Sequence, residues 1–251
     1  MKEVLIIIPA YNEEKNIESF LEKLEVAHIV DWADLLIIND GSADRTAELV
    51  EKRGYSVLSQ IYNMGYGSAL QTGYKYADIH GYSFVIQMDA DGQHDVCNVE
   101  TLYQKMQEKD ADGRTPDIVI GSRFMTGSAE YKIGKIKEFA IHLFSFIIHF
   151  STGKKISDPT SGLQGLNQRV IQFYSKFNNF DDKYPDANMI LQMLLLGYKV
   201  EEIPAVMHYR QQGVSMHSGL KPILYMIRMC ISLLAARLRV HYIKQRNGVK
   251  Q

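Results

Sequence analysis

The sequence predicts an α/β fold in which a mostly parallel sheet is covered by helices on both faces. Three observations carry that expectation. Short β-branched or aliphatic runs alternate with helix-period segments at intervals of about 20 to 30 residues. Those runs read as strands buried in the sheet, most of their residues being apolar. Polar, carboxylate-rich residues follow several of them at once, where open α/β sheets bind ligands.

The elements follow in chain order. Residues 4–8 (VLIII) read as the first strand, closed by Pro9, and 14–24 as a helix. Residues 35–38 (LLII) form the second strand, and the helix over 45–53 is stopped by Gly54. A third strand over 55–58 precedes a helix over 68–80 that ends at Gly81. The fourth strand is 84–88 (FVIQM), followed by a helix over 99–107, and the fifth is 118–120 (IVI). Residues 139–150, 189–196 and 222–243 read as further helices.

A chain of 251 residues suits one large or two small domains. Hydrophobic residues at 46% and charged residues at 23%, with 18 Gly and 6 Pro, exclude disordered and collagenous classes. The two cysteines, Cys97 and Cys230, form no CxxC pair, which excludes a disulfide framework and a cysteine zinc site and favours a reducing, cytoplasmic compartment. The run 4–8 is too short for a signal-peptide core. Residues 139–150 fall short of the roughly 20 apolar residues that cross a bilayer, and His142 and His149 suit a packed or interfacial face.

The net charge of −1 hides a split: beyond Glu202 there are eight basic residues and no acidic one. Such a segment meets an anionic partner, either a membrane surface or nucleic acid. Within it, residues 222–243 are apolar but interrupted by Arg228, Arg237 and Arg239. This pattern fits a helix lying in the membrane interface with arginines reaching headgroups, or a terminal helix with a solvated basic face.

The strand ends are chemically loaded. The first strand ends in Pro9-Ala10-Tyr11-Asn12-Glu13, the second in Asn39-Asp40-Gly41-Ser42-Ala43-Asp44 and the fourth in Asp89-Ala90-Asp91-Gly92-Gln93-His94. Ser42 and Asp44 also suit helix caps, and Asn-Asp-Gly suits a turn. Three such loops at adjacent strand tips nonetheless converge on one polar crevice. Asp89 and Asp91 repel each other unless a cation joins them. Oxygen-only ligands point to Mg²⁺ or Mn²⁺ shared with substrate phosphates, and so to a diphosphate-bearing substrate.

Four ordered segments, 6–13 (IIIPAYNE), 38–44 (INDGSAD), 63–67 (NMGYG) and 89–94 (DADGQH), resemble the family 2 glycosyltransferases of GT-A fold. Gly121-Ser122-Arg123, Asp158-Pro159-Thr160-Ser161-Gly162 and 210–215 (RQQGVS) are similar to the branch that transfers sugars to dolichyl and undecaprenyl phosphates. The likeness covers about residues 4–216. It implies a GT-A, Rossmann-like catalytic domain over 1–216 and a basic amphipathic C-terminal helix over 217–251 that meets a membrane surface or an integral-membrane partner rather than nucleic acid.

The resemblance implies inverting transfer of a sugar from a UDP- or GDP-linked donor. On that reading Pro9, Tyr11, Glu13 and Asp40 hold the base and ribose, and Asp89, Asp91 and Gln93 bind the metal at the diphosphate. Arg123 and Arg210 add positive charge to the phosphate clamp. A sugar acceptor requires a carboxylate base, for which Asp158 and Asp186 are the candidates, whereas a lipid phosphate is already an anion. The resemblance also leads one to expect a second acid near position 188, where this chain has Asn188, and Lys at 216, where it has Met216. The leading expectation is a peripheral enzyme at the cytoplasmic face that glycosylates a polyprenyl phosphate. A transferase to a glycan acceptor in envelope polysaccharide synthesis and a non-catalytic nucleotide-sugar-binding subunit are the competing ones.

Overall fold

The first strand, β1 (Val4–Ala10), sends Leu5 and Ile7 into one core and Val4, Ile6 and Ile8 into another, and all five are buried. This two-sided burial is what its unbroken apolar run requires. The chain continues through α1 (Ile17–Val26), α2 (Ile29–Trp32), β2 (Ala33–Asn39), α3 (Thr46–Lys52), β3 (Ser56–Ser59) and α4 (Tyr66–His80). Then come β4 (Phe84–Gln87), α5 (Cys97–Gln107), β5 (Ile118–Ser122), α6 (Lys135–Thr152), β6 (Gln164–Asn167) and α7 (Gln168–Tyr174). The last elements are α8 (Ala187–Leu195), β7 (Val200–Pro204) and α9 (Lys221–Arg246). The computed structural model describes residues 2–128, 133–208 and 221–246.

One sheet of seven strands runs in the order β3-β2-β1-β4-β6-β5-β7. Every pairing is parallel except those of β6, which lies antiparallel between β4 and β5. The fold is thus the expected α/β class, with two strands, β6 and β7, and two short helices, α2 and α7, beyond the elements read from sequence. β6 is Gln-Gly-Leu-Asn, with one large apolar residue and no β-branched one, so its place comes from backbone pairing on both sides and not from propensity.

Two helix boundaries differ from those expected. α1 starts at Ile17 rather than at 14, after a turn in which the amides of Asn16 and Ile17 both donate to the Glu13 carbonyl while those of Glu13 and Glu14 are tied to Thr46 Oγ1 and the Asp44 carboxylate. α4 starts at Tyr66 rather than at 68, directly after Gly65 at φ 97°. Among the described residues no helix is long and apolar enough to cross a membrane. The C-terminal helix α9 packs on α8 and α6 through buried Met229, Leu233, Ala236 and Val240.

Candidate active site

Because β2, β1 and β4 are neighbours in the sheet, the loops after them lie side by side. The first two are laced together. Asn12 N donates to Ser42 Oγ at 3.0 Å, Ala43 N to Asn12 Oδ1 at 2.9 Å, and Glu14 N to Asp44 Oδ2 at 3.0 Å. Ser42 and Asp44 therefore hold one loop to the next, beyond the local turn in which Asp44 also accepts from Thr46 N. Pro9 lies near the end of β1, Glu13 accepts from Asn16 Nδ2, and the Tyr11 side chain is exposed at the crevice edge.

Asp40 is buried, and its two oxygens accept from Met64 N at 2.7 Å and Gly65 N at 2.9 Å. It anchors the 60–65 segment, which carries exposed Ile61, Tyr62 and Met64. Gly67, just inside α4, has the Asp181 carbonyl so close that an added Cβ would sit 2.6 Å from it. The 181–186 segment thus lies directly on the start of α4.

The neighbouring Tyr66 is buried, and its hydroxyl bonds Asp89; burial first, and then the Asp89 charge, push the phenol well above its ordinary pKa. It stays a donor. Asp91 Oδ1 accepts from Gln93 N at 3.0 Å, and the Gln93 carbonyl accepts from His208 N at 2.7 Å, which pins the 91–94 loop. Buried His94 places Nε2 3.7 Å from Asp89 Oδ2. On the other side, an added Cβ at Gly162 would lie 2.9 Å from Asp89 Oδ2 and 3.2 Å from the Tyr66 hydroxyl.

A side chain at position 162 would crowd Asp89, and the groups nearest it are oxygen ligands, the Asp91 carboxylate and the Gln93 amide in the same loop, with the His94 imidazole and the Tyr66 hydroxyl against Asp89 itself. Among the described residues no group of three His, Cys, Asp or Glu side chains is arranged to hold an ion unaided. Both features fit a hard divalent cation that completes its shell with waters and substrate phosphate.

Arg123 follows β5. Its backbone N and Nε donate to Asp158 Oδ2 at 3.0 and 2.6 Å, and Nη2 donates to Asp158 Oδ1 at 2.7 Å and Thr160 Oγ1 at 2.9 Å. Asp158 is fully buried, and its own amide donates to Glu202 Oε1 at 2.9 Å. Asp158 orients Arg123.

Asp186 immediately precedes α8, yet its side chain does not cap that helix. Instead Oδ2 accepts from the Tyr225 hydroxyl of α9. Burial raises the Asp186 pKa to about 6; Asp89 adds to the rise, while Tyr225, Arg123 and Lys137 oppose it. Lys137, in the first turn of α6, is solvent-exposed but set within the crevice. Crowding by protein lowers its pKa, Arg123 lowers it further, and Asp158, Asp186 and Asp89 act the other way. Asp89, Arg123, Lys137 and Asp186 thus share one electrostatic neighbourhood.

The profile of the family described as "Glycosyl transferase family 2" matches residues 5–174. The chain belongs to that family. It is 27% identical over 223 residues to the polyprenol monophosphomannose synthase of Mycolicibacterium smegmatis, covering 86% of this chain and 81% of that one. It is also 27% identical over 227 residues to the undecaprenyl-phosphate mannosyltransferase of Micrococcus luteus, covering 86% and 88%. The crystal structure of the Mycobacterium tuberculosis glucosyl-3-phosphoglycerate synthase with Mn²⁺ and UDP-glucose superposes at a TM-score of 0.65, covering 94% of this chain and 79% of that one. At 18% identity this is a likeness of fold.

In this family 2 glycosyltransferase three of the carboxylates expected from sequence, Asp89, Asp158 and Asp186, share that electrostatic neighbourhood with Arg123, and Asp91 follows Asp89 by two residues. Arg210 and the 210–215 motif lie outside the described residues. Asn188, found where a second acid was expected, is buried: Nδ2 donates to Asp181 Oδ2 and Ser232 Oγ, both at 2.7 Å, and Oδ1 accepts from Asp186 N. It is a strut for the 181–188 loop. Lys137, Tyr66 and Tyr225 join the candidate site without being marked by the sequence. Tyr66 stood inside the 63–67 motif, but nothing local marks Lys137 or Tyr225, which reach the cleft only through helix packing.

Proposed function

We propose that this enzyme transfers a sugar, with inversion, from a nucleoside diphosphate to a polyprenyl phosphate at a membrane surface. The observation that carries the acceptor is a juxtaposition. Lys137 and Tyr225, at the starts of α6 and α9, enter the cleft, while the outer faces of the same two helices are apolar and exposed. Those faces present Ile136, Phe139, Phe146 and Phe150 on α6, and Leu224, Ile227, Ile231, Leu234, Leu238 and Tyr242 on α9. A lipid surface would cover them, with Arg228, Arg237 and Arg239 at headgroup level and the lipid's phosphate delivered beside Lys137.

The roles follow from chemistry. The acceptor phosphate oxygen attacks the anomeric carbon as the bond to the diphosphate breaks, and the nucleoside diphosphate leaves with the electron pair. Asp89, Asp91 and the Gln93 amide would hold Mg²⁺ or Mn²⁺, and a cation bound there stabilises charge growing on the leaving diphosphate. Arg123, rigidly held by Asp158, and Lys137 supply fixed positive charge for the two phosphate groups. A phosphate monoester loses its second proton near pH 6, close to the Asp186 value of about 6. Asp186 is thereby matched to accept that proton from a monoanionic acceptor.

Pro9, Tyr11, Glu13 and Asp40 form the nucleoside side, with Asp40 acting through the 60–65 segment that it anchors. The relatives' names support the lipid phosphate, and the fold likeness to a UDP-glucose-bound enzyme supports a nucleotide-sugar donor.

The test offers UDP-glucose, UDP-N-acetylglucosamine and GDP-mannose with Mn²⁺ to the full chain on anionic vesicles, with decaprenyl phosphate or with oligosaccharides as acceptor. Radiolabel is expected in the lipid fraction, and Asp91→Asn is expected to abolish it. Transfer to oligosaccharide alone would favour the glycan reading. Donor binding without turnover on any acceptor would favour a non-catalytic subunit.

A further inference from the structure

The C-terminal helix reaches the cleft by a polar seam on one of its faces. Tyr225 donates to Asp186 Oδ2, Arg228 Nη1 donates to the Tyr184 hydroxyl at 2.8 Å, and Ser232 Oγ bonds Asp181 and Asn188. Positions 225, 228 and 232 recur at helical spacing, so α9 grips the 181–188 loop at both ends and in its middle. That loop in turn lies on Gly67 at the start of α4. Among the described residues the hydrogen bond to this carboxylate falls on Oδ2, so the Tyr225 bond fixes the orientation of the group while engaging one of its two oxygens.

We propose that Tyr225 is a positioning residue: its hydroxyl holds the Asp186 carboxylate so that Oδ1 meets the acceptor, and α9 thereby completes the reactive cleft as well as contacting the membrane. The inference rests on the reading of Asp186 given above. Among the described residues the groups that act most strongly on Asp186 are Tyr225 from α9, Arg123 after β5, Asp89 after β4 and Lys137 from α6, with the Tyr66 phenol of α4 in the same field. Among the described residues the hydrogen bond to the carboxylate comes from Tyr225, and burial keeps its phenol protonated throughout the working pH range.

Tyr225→Phe removes the hydroxyl and keeps the ring that packs near Phe144 and Tyr184. On anionic vesicles carrying decaprenyl phosphate, with Mn²⁺ and whichever of the three donors the wild-type chain uses, kcat is expected to fall about tenfold, the scale of one hydrogen bond to a charged group. Donor KM and vesicle binding should stay at wild-type values, which a merely structural loss would not allow. In an Asp186→Asn background, Tyr225→Phe should add no further loss. Unchanged kcat in Tyr225→Phe, or an equal loss in both backgrounds, overturns the positioning role while leaving Asp186 standing. Full activity of Asp186→Asn alone overturns the reading beneath it.

Discussion

Replacing Phe146 and Phe150 by serine tests whether the outer face of α6 enters a bilayer. These rings are 65% and 79% exposed, which at roughly 200 Å² per phenylalanine leaves ~130–160 Å² of each in water. Full transfer of that area to an apolar medium at ~25 cal/mol per Å² is worth ~3–4 kcal/mol per ring. An interfacial helix immerses about half of such a face, so the pair contributes ~3–4 kcal/mol, a factor of several hundred in the partition constant. The rings stack on each other and make no hydrogen bond, so their loss should leave the fold's stability nearly unchanged. Co-sedimentation with sucrose-loaded anionic vesicles, at low and high salt, measures the partition constant. The double variant should bind several hundredfold more weakly with an unaltered salt slope, because the slope comes from the arginines of α9. Wild-type partitioning by a folded double variant would refute the argument.

Three further outcomes are expected. Asp158→Ala strips Arg123 of its buried partner and should lower stability by about 3–5 kcal/mol, read as a drop in the urea midpoint; a shift under 1 kcal/mol would contradict the geometry. Burial raises the folded pKa of Asp186 from the ordinary carboxylate range to about 6, so in that window the folded state holds a proton that the unfolded state has released. Stability therefore falls as pH rises through that window. Asp186→Asn should be more stable than wild type at pH 7 to 8 in thermal melts, and wild-type kcat should rise as pH passes about 6. Gly162→Ala places a methyl group 2.9 Å from Asp89 Oδ2 and should weaken Mn²⁺ binding about 10- to 100-fold, visible as loss of the Mn²⁺-dependent rise in melting temperature with a nucleotide sugar.

Much of the site was readable because its parts are contiguous. Asp89, Asp91 and Gln93 belong to one loop, and the β1 and β2 tips each occupy a few successive residues after an apolar run. The partner of Asp158 was not readable: Arg123 lies 35 positions away, and nothing in either segment announces the other. The Asp158 carboxylate, a candidate base by sequence, is enclosed by that pairing, so its observed contacts are those of a brace. Asp186 could equally have capped α8; only the approach of Tyr225, 39 positions later, turns it from the helix.

The sequence by itself determined the place of five strands, of which β3 (Ser56–Ser59) is half-exposed and not the buried run expected, the helices between them, the loaded strand tips and the amphipathic terminal helix. Each rests on periodicity or on neighbouring residues, which act over a few positions of backbone. Tertiary structure decided the insertion of β6 between β4 and β5, the bracing of Arg123, and the meeting of Lys137, Asp186 and Tyr225. Those depend on which buried faces pack together and which backbone groups must find partners, and such pairings join residues too far apart along the chain to leave a local pattern.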